Sequence, residues 1–538
     1  MKETEFNLLD ASWIRVMDAE CNIREVSLTD ALIHAHEYQC LSGELPTQDI
    51  AVLRLLLAVL HTVFSRVDAD GEECVLESED DALDRWEVLW KLKQLPEQPI
   101  RDYLSQWHER FWLFHPERPF WQVAELKNGT YYDAPKLNAE ISESSNKIRL
   151  FSAYSGTDKT TLTYAQAARW LLYLNAYDDT SSKPTKEGKA DAGGKLPSPG
   201  IGWLGKLGLI YLKGENLFET LMLNFALIHH ESVESEQKPI WERNAVSSAE
   251  RTSITMPNNL AELYTLQSRR ILLIRDHDRV ISYLLLGGDF FEKENAFFEP
   301  MTVWRTPQKE TDSFTPRRHD SSKQMWREFS VLYNSQNNNH VAGIIQWYRD
   351  HVQRILGTKR LMKTDIVSVQ YGDKDFFVKN VFSDSLAMHA DLLSEIGKGW
   401  RKDVQTEIER CEELAKAVKK LAQNLYLASG GDKGSGKKQT PSYVRAGDHA
   451  SAQLYYRLDM PFREWLRQLD PNDIEQKQPQ FEQWQQKAKG IALLYGKELI
   501  RDVSDTAMTG HMVDKKLYSA PLAYRYFQSD IHKIYHKE

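Results

Sequence analysis

The sequence predicts an α+β protein in which a large mixed α/β N-terminal domain, residues 1–384, precedes a C-terminal four-helix bundle, residues 385–538. The chain has 538 residues. This is more than one hydrophobic core usually serves, so two or more domains are expected. Extended and helical patterns alternate as far as about Asp384, whereas only helical spacing follows it. This change of pattern sets the predicted boundary between the domains.

Strands are predicted in the N-terminal domain where short apolar runs are bounded by turn residues. These runs are Phe6–Val16, with a turn-like break at Asp10–Ser12, then Asn22–Ser27, Ile271–Ile274 and Val280–Leu286. Two amphipathic helices are predicted between them. Pro46 and Thr47 form the start signal of a helix over Thr47–Phe64, which carries a Leu, Val and Ile face. A similar apolar stripe predicts a helix over Thr163–Ala176.

Two polar stretches, Asp178–Pro199 and Trp304–Lys323, cannot bury enough apolar surface to order themselves, so they are predicted to be loops. Three apolar stripes with spacings of three and four residues follow Asp384 and predict the core of the bundle. They lie within Cys411–Leu425, Phe462–Leu469 and Phe481–Tyr495.

Composition and charge exclude several classes of protein. Hydrophobic residues make up 41% and charged residues 27%, which excludes a disordered or fibrous chain. The net charge of −9 argues against coating DNA by bulk charge. The four cysteines form no CxxC pair, so no zinc ribbon and no disulfide scaffold are expected. The N-terminus lacks a signal-peptide pattern and no apolar run is long enough for a membrane span, so a soluble cytoplasmic protein is expected.

Two glycine-rich strings resemble nucleotide sites but lack the required context. Gly200–Gly205 matches GxGxxG, yet the preceding Gly-Lys-Leu-Pro-Ser-Pro cannot be the buried strand of a dinucleotide fold. Gly431–Lys437 matches GxxxxGK, but Lys438 replaces the Ser or Thr that would bind Mg²⁺. A flexible linker is the favoured interpretation of the second string, and a nucleotide-binding enzyme that uses it is retained as an alternative.

No familiar catalytic motif is found: HExxH, GxSxG and DxDxDG are all absent. His36, His61 and His115 each lack a ligand partner at helical spacing, and an isolated histidine is usually structural. The residues therefore supply no persuasive catalytic constellation, and neither a metal site nor a cofactor is expected.

Three loops are basic although the chain as a whole is acidic. Ser181–Gly214 has six Lys and two acidic residues, Arg305–Arg327 has six basic and three acidic residues, and Ser429–Gly447 has four basic residues and one acidic residue. Such loops are either solvated for solubility or in contact with phosphates. The charges alone leave both interpretations open.

An ordered set of motifs runs through the first three hundred residues. They are Phe6–Val16 (FNLLDASWIRV), Ser27–Leu32, Glu44–Gln48 (ELPTQ), His115–Phe120 (HPERPF), Ala167–Leu172, Asn216–Asn224, Gln267–Arg270 and Glu299–Trp304 (EPMTVW). In this order they resemble the CasA family, the large subunit of the type I-E CRISPR surveillance complex, Cascade. The C-terminal third resembles the family only as a helical bundle of suitable length.

The resemblance implies a non-catalytic subunit that recognises the PAM of double-stranded DNA through the minor groove. It implies that the chain helps to start strand separation and R-loop formation and then recruits a helicase-nuclease. The implied partners are the target DNA, the crRNA, the backbone subunits, the small subunit, the 5′-handle-binding subunit and, transiently, the helicase-nuclease. A purely structural subunit of an RNA–protein complex is the other alternative.

The resemblance also assigns site residues. The PAM-reading glycine loop is placed at Gly200, Ile201, Gly202, Trp203 and Gly205, and the DNA wedge at Tyr371, Lys374 and Asp375. The lysine finger and DNA-backbone contacts are placed at Lys293, Lys309, Arg317 and Arg318, and a guide-proximal loop at Asn146 and Phe151. A backbone-lined loop suits the minor groove, because the pattern of donors and acceptors there is degenerate.

Overall fold

The computed structural model describes residues 4–127, 129–139, 142–144, 147–148, 155–180, 184–186, 189–190, 200–229, 232–233, 236–244, 257–289, 298–305, 314–333, 339–357, 360–434 and 440–536. The chain divides into two compact units. Unit 1 comprises residues 1–322, 331–356 and 363–385, and unit 2 comprises residues 323–330, 357–362 and 386–538. Unit 1 mixes helices with strands and unit 2 is mainly helical, which confirms the predicted α+β class.

The first part of unit 1 alternates short strands with helices. Its elements are β1 (Glu5–Asn7), β2 (Ile14–Asp18), β3 (Ile23–Val26), α1 (Leu28–Ile33), β4 (Tyr38–Leu41), α2 (Pro46–Phe64), α3 (Glu79–Leu92), α4 (Glu97–Gln106), β5 (Trp112–Phe114), β6 (Thr130–Asp133), α5 (Ala134–Leu137), β7 (Ser142–Ser144), β8 (Lys147–Ile148) and α6 (Tyr164–Tyr177). β2 pairs with β3 on one side and β4 on the other. The turn-like break predicted at Asp10–Ser12 separates β1 from β2.

The second part of unit 1 supplies further antiparallel sheets, and its last two strands each include residues of unit 2. Its elements are β9 (Pro184–Lys186), β10 (Lys189–Ala190), β11 (Leu209–Lys213), α7 (Leu217–Asn224), β12 (Ile228–His229), β13 (Ser232–Val233), α8 (Leu260–Tyr264), β14 (Arg269–Asp276), β15 (Arg279–Gly287), β16 (Trp304–Arg305), β17 (Thr315–Pro316), β18 (Asn339–His340), α9 (Gly343–Trp347), α10 (Gln353–Leu356), β19 (Leu361–Tyr371) and β20 (Val378–His389). One sheet has the order β14-β15-β6 and another β11-β19-β20. β16 and β17 lie within the stretch predicted to be a loop, because two residues per strand are too few for a sequence pattern.

The helix α2 forms the centre of the core of unit 1. Pro46 occupies its first turn, where a backbone N–H is not needed, and the residues from Ile50 to Phe64 are buried. It is the one helix in the described part of the chain whose length and hydropathy would suit a membrane span, and 94% of that apolar window is buried inside the protein. Packing on all sides therefore accounts for its apolar composition.

The helix α6 is fixed at both ends. At its start, the N–H of Gln166 donates to the Thr163 hydroxyl at 3.1 Å, and the Gln166 amide accepts from the Thr163 N–H at 2.9 Å. At its end, the Asn175 side chain accepts the N–H of Arg269, the first residue of β14, at 3.1 Å. The end of α6 is thus held against the β14-β15-β6 sheet.

Unit 2 is built on four long helices. Its elements are α11 (Lys398–Ala428), α12 (Pro441–Gln468), α13 (Ile474–Arg501), α14 (Asp505–Thr509), β21 (His511–Val513), β22 (Lys516–Tyr518) and α15 (Ala520–Tyr535). The predicted stripes lie in its core, where the Trp465 and Trp484 rings stack with centroids 5.1 Å apart.

The prediction that only helices follow Asp384 is wrong, because β20 continues to His389 and because β21 and β22 form a hairpin. Its two turn residues, Asp514 and Lys515, have φ values of +48° and +63°. Such a turn is usually signalled by Asn-Gly or Asp-Gly. Without a glycine, the sequence carries no clear hairpin signal.

Candidate nucleic-acid interface

The segment Gly200–Gly205, to which the resemblance assigns PAM reading, lies beside the end of α6. The N–H of Gly202 donates to the Asp178 carbonyl at 2.9 Å. The carbonyl of Gly200 accepts a hydrogen bond from Nη2 of Arg269 at 2.6 Å. Arg269 is buried and also donates through Nε to the Asp178 carboxylate at 2.5 Å. The start of β14 and the end of α6 together fix this segment.

Most of the segment is buried, which corrects the expectation that all of it faces a DNA groove. Ile201 and Trp203 are each 3% exposed, and Gly202 and Gly205 are buried as well. A Cβ on Gly202 would lie 2.4 Å from the carbonyl carbon of Ala176. These four residues pack inside unit 1, because the chain passes too close to α6 to leave room for a groove between them.

Gly200 is the member of the segment that reaches the surface. It is partly exposed and has a φ of +68°, in the left-handed region that favours glycine. Among the described residues, a Cβ there would meet the Cε atom of Lys206 at 3.9 Å and no other atom within 4 Å. Gly200 is therefore the least crowded residue of the segment within the described part of the chain, and residues 191–199, which precede it, lie outside that part.

A buried ion pair between Arg54 and Glu299 contacts the segment Gly200–Gly205 through Trp203. The Glu299 carboxylate accepts two hydrogen bonds from Arg54, at 2.7 and 2.9 Å, and a third from Nε1 of Trp203 at 2.8 Å. Burial opposes the charge on Arg54, but the Glu299 carboxylate outweighs it and holds the pKa of the guanidinium above its ordinary value. The Trp203 side chain is thus buried and held by a hydrogen bond to the Glu299 carboxylate, and it is not exposed at the surface.

Tyr371, which the resemblance places in the wedge, is the buried anchor of a hairpin. It is the last residue of β19, and its hydroxyl donates to the Tyr177 carbonyl at 2.7 Å. A Cβ on Gly205 would lie 2.2 Å from that hydroxyl oxygen. The expectation that Tyr371 faces DNA is therefore corrected: its side chain joins the hairpin to the end of α6, and Gly205 leaves the space for it.

The turn between β19 and β20, residues Gly372–Phe377, is here called the hairpin tip. Lys374, Asp375 and Phe377 have φ values of +54°, +59° and +47°, so the chain reverses through three left-handed residues. The Asp375 carboxylate accepts two hydrogen bonds from Arg318, at 2.7 and 3.0 Å. The Thr180 hydroxyl donates to the Lys374 carbonyl at 2.8 Å. Of the predicted site residues, the structure brings Lys374, Asp375 and Arg318 together.

Two aromatic side chains at the hairpin tip were missed by the sequence reasoning. Phe376 is 49% exposed and Phe377 is 40% exposed, and their rings meet edge to face at 6.0 Å. Two adjacent exposed aromatic side chains form a small contiguous apolar surface, which is a candidate contact for a ligand or partner. The signal available in the sequence was an adjacent Phe pair directly after a polar Gly-Asp-Lys-Asp turn.

The remaining predicted residues are not brought to the hairpin tip by the described part of the chain. Arg317 is half-buried and its backbone N–H donates to the Val303 carbonyl at 2.8 Å. Four residues lie outside the described residues: Asn146, Phe151, Lys293 and Lys309.

The nucleotide-site alternative at Gly431–Lys437 gains no support from its surroundings. A P-loop joins a strand to a helix, whereas the described residues here follow the helix α11, which ends at Ala428. A Cβ on Gly431 would lie 2.3 Å from the Tyr426 ring, so this glycine packs against α11. Residues 435–439 lie outside the described residues.

Comparison with known proteins identifies the family. A family model described as CRISPR-associated protein Cse1 matches residues 7–495. The CasA/Cse1 protein of Thermus thermophilus is 28% identical over 505 residues, which cover 91% of each chain. The crystal structure of Thermobifida fusca Cse1 superposes with a TM-score of 0.81 at 27% identity and covers 99% of this chain and 98% of that one.

A chain of a solved CRISPR RNA-guided surveillance complex has the same fold, with a TM-score of 0.69 at 16% identity over 99% of this chain and 100% of that one. The family match extends from β1 into α13 and so covers both units. The resemblance found in the sequence motifs is therefore confirmed, and the chain belongs to the CRISPR-associated Cse1 family, also called CasA.

Proposed function

We propose that this chain is the non-catalytic large subunit of a type I-E Cascade complex in the cytoplasm, where it recognises the PAM of double-stranded DNA and helps to separate the strands. Its proposed partners are the crRNA, the other Cascade subunits and a helicase-nuclease that it recruits. The observation that carries this proposal is the hairpin tip, where two exposed aromatic side chains sit on a braced turn beside a cation.

The chemistry of the hairpin tip suits the opening of a base step. Side chains of this kind unstack neighbouring base pairs when they enter between them, and the resulting bend is offset by new contacts. Phe376 and Phe377 supply the apolar surface. Lys374 is exposed beside them and suits a phosphate, whereas Asp375 is neutralised by Arg318 and so repels phosphates less.

Three contacts with neighbouring residues of unit 1 make the hairpin tip rigid, as a wedge requires. A flexible turn would fold back from the duplex, because ordering it on DNA costs conformational entropy. Here the contact from Thr180, the ion pair with Arg318 and the buried Tyr371 hydroxyl hold it from three sides. Much of that entropy is already lost before DNA binds.

The partly exposed backbone of Gly200 supports PAM reading near the same helix end. Backbone groups contact the minor groove without a side chain in the way, and reading there is tolerant of base changes. This narrows the proposed contact to Gly200 and makes Ile201, Gly202, Trp203 and Gly205 its structural support.

The test uses the assembled complex with guide RNA and a target duplex that carries 2-aminopurine beside the PAM. The variant Phe376→Ala/Phe377→Ala should lower the rate of strand opening at least about tenfold, since stacking on an aromatic side chain contributes about 1–3 kcal/mol per base. Tyr131→Ala is the matched control, because Tyr131 is 56% exposed elsewhere in unit 1. Unchanged opening in the double variant would remove the hairpin tip from the proposal.

Salt dependence separates this function from a purely structural subunit. Each phosphate neutralised on duplex DNA contributes about −0.9 to the slope of log K against log salt concentration. The complex should lose part of that slope when the chain is removed. A purely structural subunit would leave the slope as it was.

A further inference from the structure

A histidine and two aspartates meet in unit 2, away from the proposed interface. His389 is the last residue of β20, Asp391 lies in the turn that follows, and Asp470 lies in the loop between α12 and α13. Nδ1 of His389 lies 3.7 Å from Oδ2 of Asp391, and Nε2 lies 3.8 Å from Oδ1 of Asp470. One ligand atom from each residue can be chosen so that all three lie within 4.8 Å of one another.

Two of the three side chains in this cluster, His389 and Asp391, are buried. His389 is 8% exposed and Asp391 is 1% exposed. Nδ1 of His389 is buried and makes no hydrogen bond to any described residue. Buried polar atoms are nearly always satisfied, so an imidazole nitrogen that faces a carboxylate without a bond points to a group that occupies the space between them.

Asn472 adds a fourth polar group to the cluster. Its side-chain Nδ2 donates to Oδ2 of Asp391 at 2.6 Å and to Oδ1 of Asp470 at 3.0 Å. Turning this amide by 180° would direct its carbonyl oxygen at the same centre. Two carboxylate oxygens, one imidazole nitrogen and an amide oxygen would then lie around one centre, from two separate segments of unit 2.

We propose that His389, Asp391 and Asp470 bind one divalent transition-metal cation, Zn²⁺ or Mn²⁺, with Asn472 as a fourth ligand. Carboxylates alone would suit Mg²⁺ or Ca²⁺, but an imidazole nitrogen favours a softer transition metal. Two carboxylates match the charge of the cation, and ligand distances of about 2.0–2.2 Å to Zn²⁺ require only a small closure of the cluster. The cysteine spacing predicts no metal site, and this cluster contains no cysteine.

The site would link two parts of unit 2 that are distant in sequence. Asp391 precedes α11, and Asn472, 81 residues later, precedes α13. A cation held between them would fix the loop between α12 and α13 to the start of the bundle. Its role is thus structural, and its loss should loosen that end of the bundle.

The test measures binding of ZnCl₂ and MnCl₂ to the full chain after treatment with EDTA, by equilibrium dialysis with metal analysis. One equivalent of at least one of the two metals should bind, and His389→Ala should weaken this binding by at least about tenfold, since the loss of a residue that merely hydrogen-bonds a ligand already costs about 10–100-fold. The metal should also raise the unfolding midpoint of the chain but not that of His389→Ala. Asp470→Asn is a milder second variant, because the Asp470 side chain is 40% exposed.

The matched control is His532→Ala. His532 lies in the last turn of α15 and His536 directly follows that helix, with ring centroids 4.1 Å apart, so this pair is the control for zinc bound by surface histidines. The control should retain the equivalent that His389→Ala loses. If only the His532 variant loses the metal, or neither metal binds, the proposal is wrong and the cluster is a histidine bridge between two carboxylates.

Discussion

Arg54 donates two hydrogen bonds to Glu299, a residue 245 positions later in the chain, and neither side chain is more than 1% exposed. The pair joins α2 to the EPMTVW motif and also holds Trp203, the tryptophan of the glycine segment. The guanidinium additionally lies 4.3 Å from the centre of the Tyr264 ring. The first residue of the EPMTVW motif, Glu299, is therefore one partner of a buried ion pair.

Removing one partner of this pair should destabilise unit 1 strongly. Arg54→Met leaves the Glu299 carboxylate buried without its cation, which should lower the free energy of unfolding by about 3–5 kcal/mol. Urea denaturation followed by tryptophan fluorescence measures the loss. The double variant Arg54→Met/Glu299→Gln should recover part of the lost free energy of unfolding, because it leaves no unpaired charge in the core. A loss below about 1 kcal/mol in the single variant would contradict this account.

Gly202 and Gly200 should respond differently to alanine. A Cβ on Gly202 would meet the Ala176 backbone at 2.4 Å, so Gly202→Ala should lower stability by about 1–3 kcal/mol through overpacking. Gly200→Ala meets no atom of the described residues closer than 3.9 Å and should cost about 1–2 kcal/mol through its left-handed backbone alone.

DNA binding by the assembled complex tells the two glycines apart. We expect Gly200→Asp to weaken PAM-dependent binding without unfolding the chain, whereas Gly202→Asp should impair folding first. Thermal unfolding and gel-shift measurements on the same preparations check this order. A stable Gly202→Asp chain would contradict the packing role of Gly202.

Breaking the ion pair between Arg318 and Asp375 at the hairpin tip should slow strand opening more than it lowers the stability of the chain. Arg318 and Asp375 are each about one-third exposed, and the measured contribution of such pairs is about 0–1 kcal/mol. Arg318→Gln and Asp375→Asn should therefore leave the unfolding midpoint nearly unchanged but slow strand opening. If the two changes act through one contact, the double variant should open DNA no more slowly than either single variant.

The stability of unit 1 should depend on pH through Asp49. Burial raises the pKa of its carboxyl from 3.8 to about 7. The folded chain therefore keeps a proton that the unfolded chain releases, and stability falls as the pH rises through that window. Asp49→Asn keeps the acceptor for the Gly43 N–H, which bonds Oδ1 of Asp49 at 2.6 Å.

Between the lower and the upper end of this pH window, the stability of Asp49→Asn relative to the parent chain should increase by about 1–3 kcal/mol. Urea denaturation of both chains at several pH values measures the difference. Parallel stability curves for the two chains would contradict the raised pKa.

The helices α2 and α6 and the seams of the bundle were predictable because each has a local period of three and four residues. The family was predictable because its motifs keep their order. The partners of those motifs were not, since Arg54 and Glu299 meet through the fold and no short window contains both. For the same reason the burial of Gly202 was missed: the string suggests an open loop, and only the nearby end of α6 closes it.

The end of α6 carries contacts to both proposed DNA-facing elements. The Ala176 backbone packs against Gly202, and the Tyr177 carbonyl accepts a hydrogen bond from the Tyr371 hydroxyl. The Tyr371 side chain also packs against Gly205. The distance between Gly200 and the aromatic pair Phe376 and Phe377 is thus set by one helix terminus. Under the proposed function, strand separation would begin at a constant distance from the recognised PAM.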